Sequence, residues 1–317
     1  TTTVDFYQQV PSILSGSTYI PDFDYSLFIP ANATVTSTLN NSIPFIIEDP
    51  IDFSVSSSGD YTDVTVYSIN SGTNDPEVFL LKKSRNAISS TISTETFAFT
   101  SPTQFTTIDI TANNIVGILD IVDTDGNTWY EVDYLGQEMV FDSIKNTNVN
   151  DPNLSQYEGD TPYLLQLEKI QRRFATRVTA PDNLQIQFGA GSVNDDDENI
   201  TPNPDNVGLG LPFEKTKLNT AYSPSNFLFT KTYGIAPSNT TLTVRYLTGG
   251  GVESNINANL LTQLTATPTF LKYNLNQTTA NTFLNSLVVT NPIAADGGGD
   301  GDTIEEIRQN SSANFAS

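Results

Sequence analysis

Four of the fourteen basic residues of this chain fall within nine positions, at Lys169, Arg172, Arg173 and Arg177. If residues 169–178 run extended, Lys169, Arg173 and Arg177 share one face and Arg172 takes the other; if they are helical, Lys169, Arg172 and Arg173 group around one side. The chemistry such a cluster offers is electrostatic. It can meet an acidic surface, within the chain or on a partner, where rim charges set register and association rate. These four residues are the interface candidates, and a solvated basic face is the plainer alternative.

The other chemistry-bearing residues are carboxylates. Asp123, Asp125 and Asn127 match the first three ligand positions of a calcium loop, but Thr128 stands where the loop needs Gly and Tyr134 where it needs a bidentate Glu. A hairpin turn is the expected reading. Asp195-Asp196-Asp197-Glu198 could attract a hard cation, yet adjacent carboxylates in a loop rich in Pro and Asn are usually just solvated. Gly189-Ala190-Gly191 is too short for a phosphate loop and reads as a tight turn. With 36 acidic residues, a glycosidase-like carboxylate pair can be found at any spacing, so that hint carries no weight. Asn-x-Ser/Thr triplets such as Asn32-Ala33-Thr34 are expected by chance in this composition.

Histidine and cysteine are both absent. Their absence removes the Ser-His-Asp triad, His-based and thiolate metal sites, Cys nucleophiles and disulfides, so an enzyme would have to run on carboxylates, Lys or Tyr. No catalytic, cofactor-binding or metal-ligating residue is assigned, and the chain is read as a non-enzyme.

The formal charge is −22, with a pI near 4.1. A field of that sign repels phosphate backbones and anionic lipid, which argues against nucleic-acid and membrane partners. The asymmetry is also local: ten carboxylates, from Asp5 to Glu77, precede the first basic residue, Lys82. No run of 18 apolar residues and no signal-peptide pattern is present.

The elements that must position these residues are mostly strands. Thr, Ser, Asn and β-branched residues recur in short segments closed by Gly, Pro, Asn or Asp, the texture of a mainly β fold with two or more β-rich, sandwich-like domains and few helices. Residues 61–69 alternate with weak apolar contrast, as a strand near an edge would. Residues 115–122 and 128–135 flank a turn whose Asp125-Gly126 pair signals a hairpin. Residues 175–179, 184–188, 240–247 and 284–290 read as further strands. In residues 161–174, Pro162 followed by Tyr163, Leu164, Leu167, Ile170 and Phe174 fits a capped amphipathic helix, and periodicity leaves helix and strand open.

Three regions are expected: an acidic β domain over residues 1–100, a second β-rich domain over 101–292 with an acidic loop at 194–205, and a Gly/Asp linker with a helix start over 293–317. In the last, Asp302 or Thr303 can cap a helix opened by Ile304, Glu305, Glu306 and Ile307. Fifteen or so residues after the spacer cannot bury a core of their own, so the chain is read as one part of a longer polypeptide.

Several stretches carry a resemblance. Arg172-Arg173-Phe174-Ala175-Thr176-Arg177 and Ile186-Gln187-Phe188-Gly189-Ala190-Gly191 look like the central part of the baseplate wedge proteins of T-even-like contractile-tailed bacteriophages, the group related to baseplate J proteins. So do Ile29-Pro30-Ala31-Asn32-Ala33-Thr34-Val35, Asp125-Gly126-Asn127-Thr128-Trp129-Tyr130-Glu131-Val132 and Gly234-Ile235-Ala236-Pro237-Ser238-Asn239-Thr240-Thr241-Leu242. Residues 303–310 resemble that family's linker into its C-terminal domain. The match is spread in order over nearly the whole chain, each piece being short, and the family's N- and C-terminal parts have no counterpart here.

The resemblance implies an extended conformation around Arg172 and structural work in the virion. Two copies of such a protein, made in the bacterial host cytoplasm, would join other wedge subunits in a ring around the tail hub that rearranges as the sheath contracts. It implies no cofactor and no small-molecule substrate. Two alternatives come from other classes: a receptor or carbohydrate-binding tail module, whose signature would be exposed Tyr and Phe platforms, and a carboxylate-based glycosidase of tail origin.

Overall fold

The computed structural model describes residues 1–37, 43–57, 59–146, 161, 163–180, 182–191, 231–299 and 304–314. The protein is mainly β, with 51% strand, two α-helices among the described residues, and sheets that include a half-barrel and a nearly closed barrel. Two compact units divide the chain. The first comprises Thr1–Thr91, Lys145–Tyr163 and Gly249–Ser317, and the second Ile92–Ile144 and Leu164–Thr248.

The chain opens with β1 (Thr2–Ser15), β2 (Thr18–Pro21), β3 (Leu27–Ile29), β4 (Ala33–Ser37), β5 (Phe45–Ile47), β6 (Ile51–Asp52), β7 (Asp63–Ile69) and β8 (Pro76–Ser89). It continues through β9 (Thr91–Phe99), β10 (Thr107–Thr111), β11 (Ile115–Val122), β12 (Thr128–Glu131), β13 (Met139–Lys145), β14 (Tyr163–Lys169), β15 (Arg173–Ala180), β16 (Asn183–Phe188) and β17 (Thr240–Thr248). It ends with β18 (Leu261–Leu264), β19 (Thr269–Phe270), α1 (Gln277–Leu284), β20 (Val288–Thr290) and α2 (Ile304–Asn314).

The first unit is organised by its two longest strands, β1 and β8, paired antiparallel from Thr2↔Ala87 to Pro11↔Val78. Val4, Phe6 and Val10 on one strand and Phe79, Leu81 and Ala87 on the other point to the same interior. Burying each large apolar side chain contributes about 1.5–3 kcal/mol, and a one-residue slip would expose the whole set, so the register is strongly determined. Period two also carries polar residues inside, Gln8 and Lys83 among them. Gln8 compensates by donating from Nε2 to Tyr25 O at 2.7 Å and accepting from Leu27 N at 2.9 Å. The sheet runs β18-β4-β5-β8-β1-β2, with β20 added to β1 and β7 to β8. Residues 63–69 thus form an outer strand, as their weak contrast suggested.

In the second unit the sheet order is β10-β16-β15-β12-β11-β17-β9. Its core gathers Ile110, Ile121, Trp129, Phe174, Ile186, Phe188, Leu242 and Val244, with Trp129 edge-on to Phe188 at 5.3 Å between centroids. The β11–β12 hairpin closes at Val122↔Thr128, and Gly126 takes φ 83°, which is why Asp-Gly occupies that turn. The β12–β15 pair is parallel, Tyr130 facing Arg173.

Several expectations need correction. The helix entertained for residues 161–174 is absent: residues 163–169 form β14, paired with β13 as a two-stranded ribbon. Residues 277–284, not read as helical, form α1, whose N-cap Asn276 accepts from Thr278 N and Thr279 N while Ala280 and Phe283 are buried. That helix includes Leu284, so the strand expected over 284–290 shortens to Val288–Thr290. The terminal helix does form from Ile304. Its expected caps, Asp302 and Thr303, and the acidic loop at 194–205 lie outside the described residues. Among the described residues, no helix is long and apolar enough to cross a membrane.

Candidate functional site

The basic cluster divides into surface and interior. Lys169 ends β14 exposed, 3.6 Å from Glu138. Arg172 lies 3.5 Å from the nearly buried carboxylate of Asp123. Arg177 is exposed on β15 and donates to Gln185 Oε1 at 3.1 Å. Arg173 is buried, with 1% of its surface accessible. Its guanidinium donates to three backbone carbonyls: Leu135 and Ile170, each at 2.6 Å, and Thr232 at 2.5 Å. Burial removes Arg173 from the interface set, and the planar fork explains why an arginine stands there.

The three carbonyls belong to different segments, and Arg173 ties them together. Beside it, Gly234 takes φ 79°, and a Cβ there would lie 2.8 Å from the Arg173 side chain. Gly189 packs on the same strand end so closely that its Cβ would fall 2.2 Å from Gly234 O. Gly189-Ala190-Gly191 thus serves close backbone approach, with Ala190 N and Gly191 N both donating to Gly234 O.

Over this knot lies an open groove of about 510 Å³. Its floor is the outward face of β15 and β16, where Ala175 opposes Gln187 and Arg177 opposes Gln185 while Phe174, Ile186 and Phe188 point into the core. One wall is the segment carrying Asp133, Tyr134 and Leu135; the other brings Phe105 and Tyr233, whose rings meet at 6.0 Å. Arg173 therefore fastens both walls, through Leu135 and through Thr232 beside Tyr233. Phe105 adopts φ 50°, rare for a bulky side chain, and donates from its N–H to Gly189 O at 3.0 Å. This groove was not read from sequence, because its rings come from separate loops.

The calcium-like loop is filled by the chain itself. Asp123 Oδ1 accepts from Asp125 N at 3.0 Å, Asn127 N at 2.8 Å and Asn127 Nδ2 at 3.1 Å. Burial alone would raise the pKa of Asp123, but the Asn127 and Asp125 hydrogen bonds and the Arg172 charge outweigh it and hold the carboxyl below its ordinary value. No group of three metal-ligating side chains occurs among the described residues, and Asp195 to Glu198 lie outside them.

The acidic first quarter has its own cations on β8. Lys82 lies 2.9 Å from Asp5, and Arg85 grips Asp60 with two bonds, of 2.7 and 3.0 Å. Lys83 points inward in the period-two pattern and is buried; its ammonium reaches Asp52 O at 2.9 Å, Val55 O at 2.8 Å and Asp60 at 2.8 Å. Burial lowers the Lys83 pKa against the pull of Asp60. With three acceptors for three donors, this lysine is a structural strut.

The remaining feature is the β13–β14 ribbon. Met139, Phe141, Leu165 and Leu167 are all exposed, Phe141 at 73% and Leu165 at 75%. Comparison with known proteins yields no match: no family model, no curated protein and no solved structure corresponds to the chain.

Proposed function

We propose that this chain is a structural subunit of a contractile-tail baseplate, working in the virion as a wedge component that supports ring assembly and the rearrangement accompanying sheath contraction. The observation that carries an assembly role is the apolar β13–β14 ribbon. A lone two-stranded ribbon is at best marginally stable in water, and clustered exposed apolar side chains mark surfaces that other proteins cover. Its occupants in this reading are the neighbouring wedge subunits and a second copy of the full-length protein.

The sequence resemblance supplies the particular assembly. Four of the stretches that carry it, separated along the chain, meet in the second unit. Tyr130 N donates to Arg172 O at 3.0 Å and Val132 N to Phe174 O at 2.9 Å, joining residues 125–132 to 172–177. Gly191 N donates to Gly234 O at 3.0 Å, joining 186–191 to 234–242, and the antiparallel β15–β16 pair, with Ala175 opposite Gln187, joins 172–177 to 186–191. Motifs that resemble a family in sequence and also build one contiguous region support the reading more than scattered fragments would. The test is co-sedimentation with purified baseplate wedge subunits of a contractile-tailed phage: a stable complex is expected.

A further inference from the structure

We propose that the groove of the second unit is a binding site for a neutral oligosaccharide, an inference independent of the baseplate reading. Its volume, about 510 Å³, falls inside the range of roughly 300–1,000 Å³ typical of small-molecule sites. The lining pairs two kinds of surface that a sugar ring needs at once. Tyr134, 64% exposed, and the Phe105–Tyr233 pair offer ring faces and edges to the C–H face of a pyranose. Gln187, Gln185, Arg177 and Asp133 offer amide, guanidinium and carboxylate groups that donate to and accept from hydroxyls.

The polar side is preset. Arg177 donates to Gln185 Oε1 at 3.1 Å, and Gln185 Nε2 donates to Asp109 Oδ1 at 3.2 Å, so a hydrogen-bonded row crosses three strands with its amide orientation already chosen. The walls are preset as well, because Arg173 holds Leu135 and Thr232 and the Gly189–Gly234 contact leaves no slack. A rigid, preorganised site loses less entropy on binding, which suits a weakly held, strongly hydrated ligand. Charge selects among sugars. Arg177 is the groove's cation against Asp133, and the chain as a whole carries −22, so a polyanionic glycan would be repelled where a neutral one is not.

The experiment uses the full 317-residue chain and saturation-transfer difference NMR against a panel of neutral tri- and tetrasaccharides of gluco-, galacto- and N-acetylhexosamine types, with their sulfated counterparts. At least one neutral member should bind saturably, its sulfated form more weakly, and calorimetry should show Tyr134→Ala and, separately, Gln187→Ala weakening it about tenfold, or 1.4 kcal/mol. Both positions are exposed, and unchanged circular dichroism of either variant establishes that loss of binding is local. Absence of saturable binding across the panel, or binding that both substitutions leave unchanged, overturns the proposal.

Discussion

Replacing Arg173 by Lys keeps the positive charge but loses the planar fork that reaches Leu135, Ile170 and Thr232 together. Each carbonyl left without its donor in the interior costs about 1–3 kcal/mol, so Arg173→Lys should lower unfolding free energy by at least the lower figure in urea titration. A variant as stable as the parent would show that water replaces the guanidinium without loss. Asp60 presents the complementary case. It faces both buried Lys83 and Arg85, and removing one member of a buried pair costs about 3–5 kcal/mol, the lower end applying because Asp60 is partly exposed. Asp60→Asn should therefore drop the melting temperature by several degrees, whereas an exposed control such as Lys169→Gln should not; equal melting points would remove the strut. The four basic residues were visible as a cluster, but their fates were not. Arg173 adjoins Phe174, and both are buried at the start of β15, so strict alternation misplaces one of them. Lys83, by contrast, sits in clean period two with Phe79, Leu81 and Ala87, and was legible to anyone willing to place a lysine inside.

At the scale of elements, the ribbon formed by β13 and β14 makes the sharpest prediction. Because Phe141 and Leu165 are exposed, changing both to Ser should leave the urea midpoint of the isolated chain within experimental error while weakening association with the proposed wedge partners. If the double variant unfolded cooperatively at lower urea, the two side chains would be covered within the chain itself. Strands with alternation or a diagnostic turn were readable: residues 61–69, the Asp-Gly hairpin and residues 184–188 each carry a local signal that tertiary packing reinforces. Residues 161–174 were harder, since Leu164, Leu167 and Ile170 satisfy a helical stripe while Tyr163, Leu165 and Leu167 equally satisfy period two. Only pairing with β13, the preceding strand, decides between them. Helix α1 did have its signal, an Asn276 cap followed by Ala280 and Phe283 at helical spacing, obscured by four Thr and Asn residues between positions 278 and 282. The groove was beyond sequence reasoning, because Tyr134 and Tyr233 are brought together through the carbonyls gathered by Arg173 and Phe105 joins them through its bond to Gly189 O.

At the scale of the whole molecule, charge sets how stability responds to pH. Asp60 and Asp123 have pKa values held below the ordinary 3.8 despite burial, by Arg85 and Lys83 for the first and by Asn127, Asp125 and Arg172 for the second. Between the folded and unfolded values the unfolded chain binds more protons, so their contribution is present above the ordinary carboxylate range and lost as pH falls through the depressed values. Meanwhile, acidification from neutrality towards the pI near 4.1 reduces the repulsion of a chain carrying −22. The melting temperature should hold or rise from pH 7 to about 5 and fall steeply below about 4; a melting temperature that does not fall on the acid side of about pH 4 would mean that neither carboxylate is held as described. The proposed role as an assembly component is checked by analytical ultracentrifugation. The chain is mixed with purified baseplate wedge subunits of a contractile-tailed phage, the partners proposed above, at physiological salt. A discrete, faster-sedimenting complex of fixed stoichiometry is expected, which the Phe141→Ser, Leu165→Ser double variant fails to form; the parent chain and the wedge subunits sedimenting independently at every ratio would contradict the proposed role.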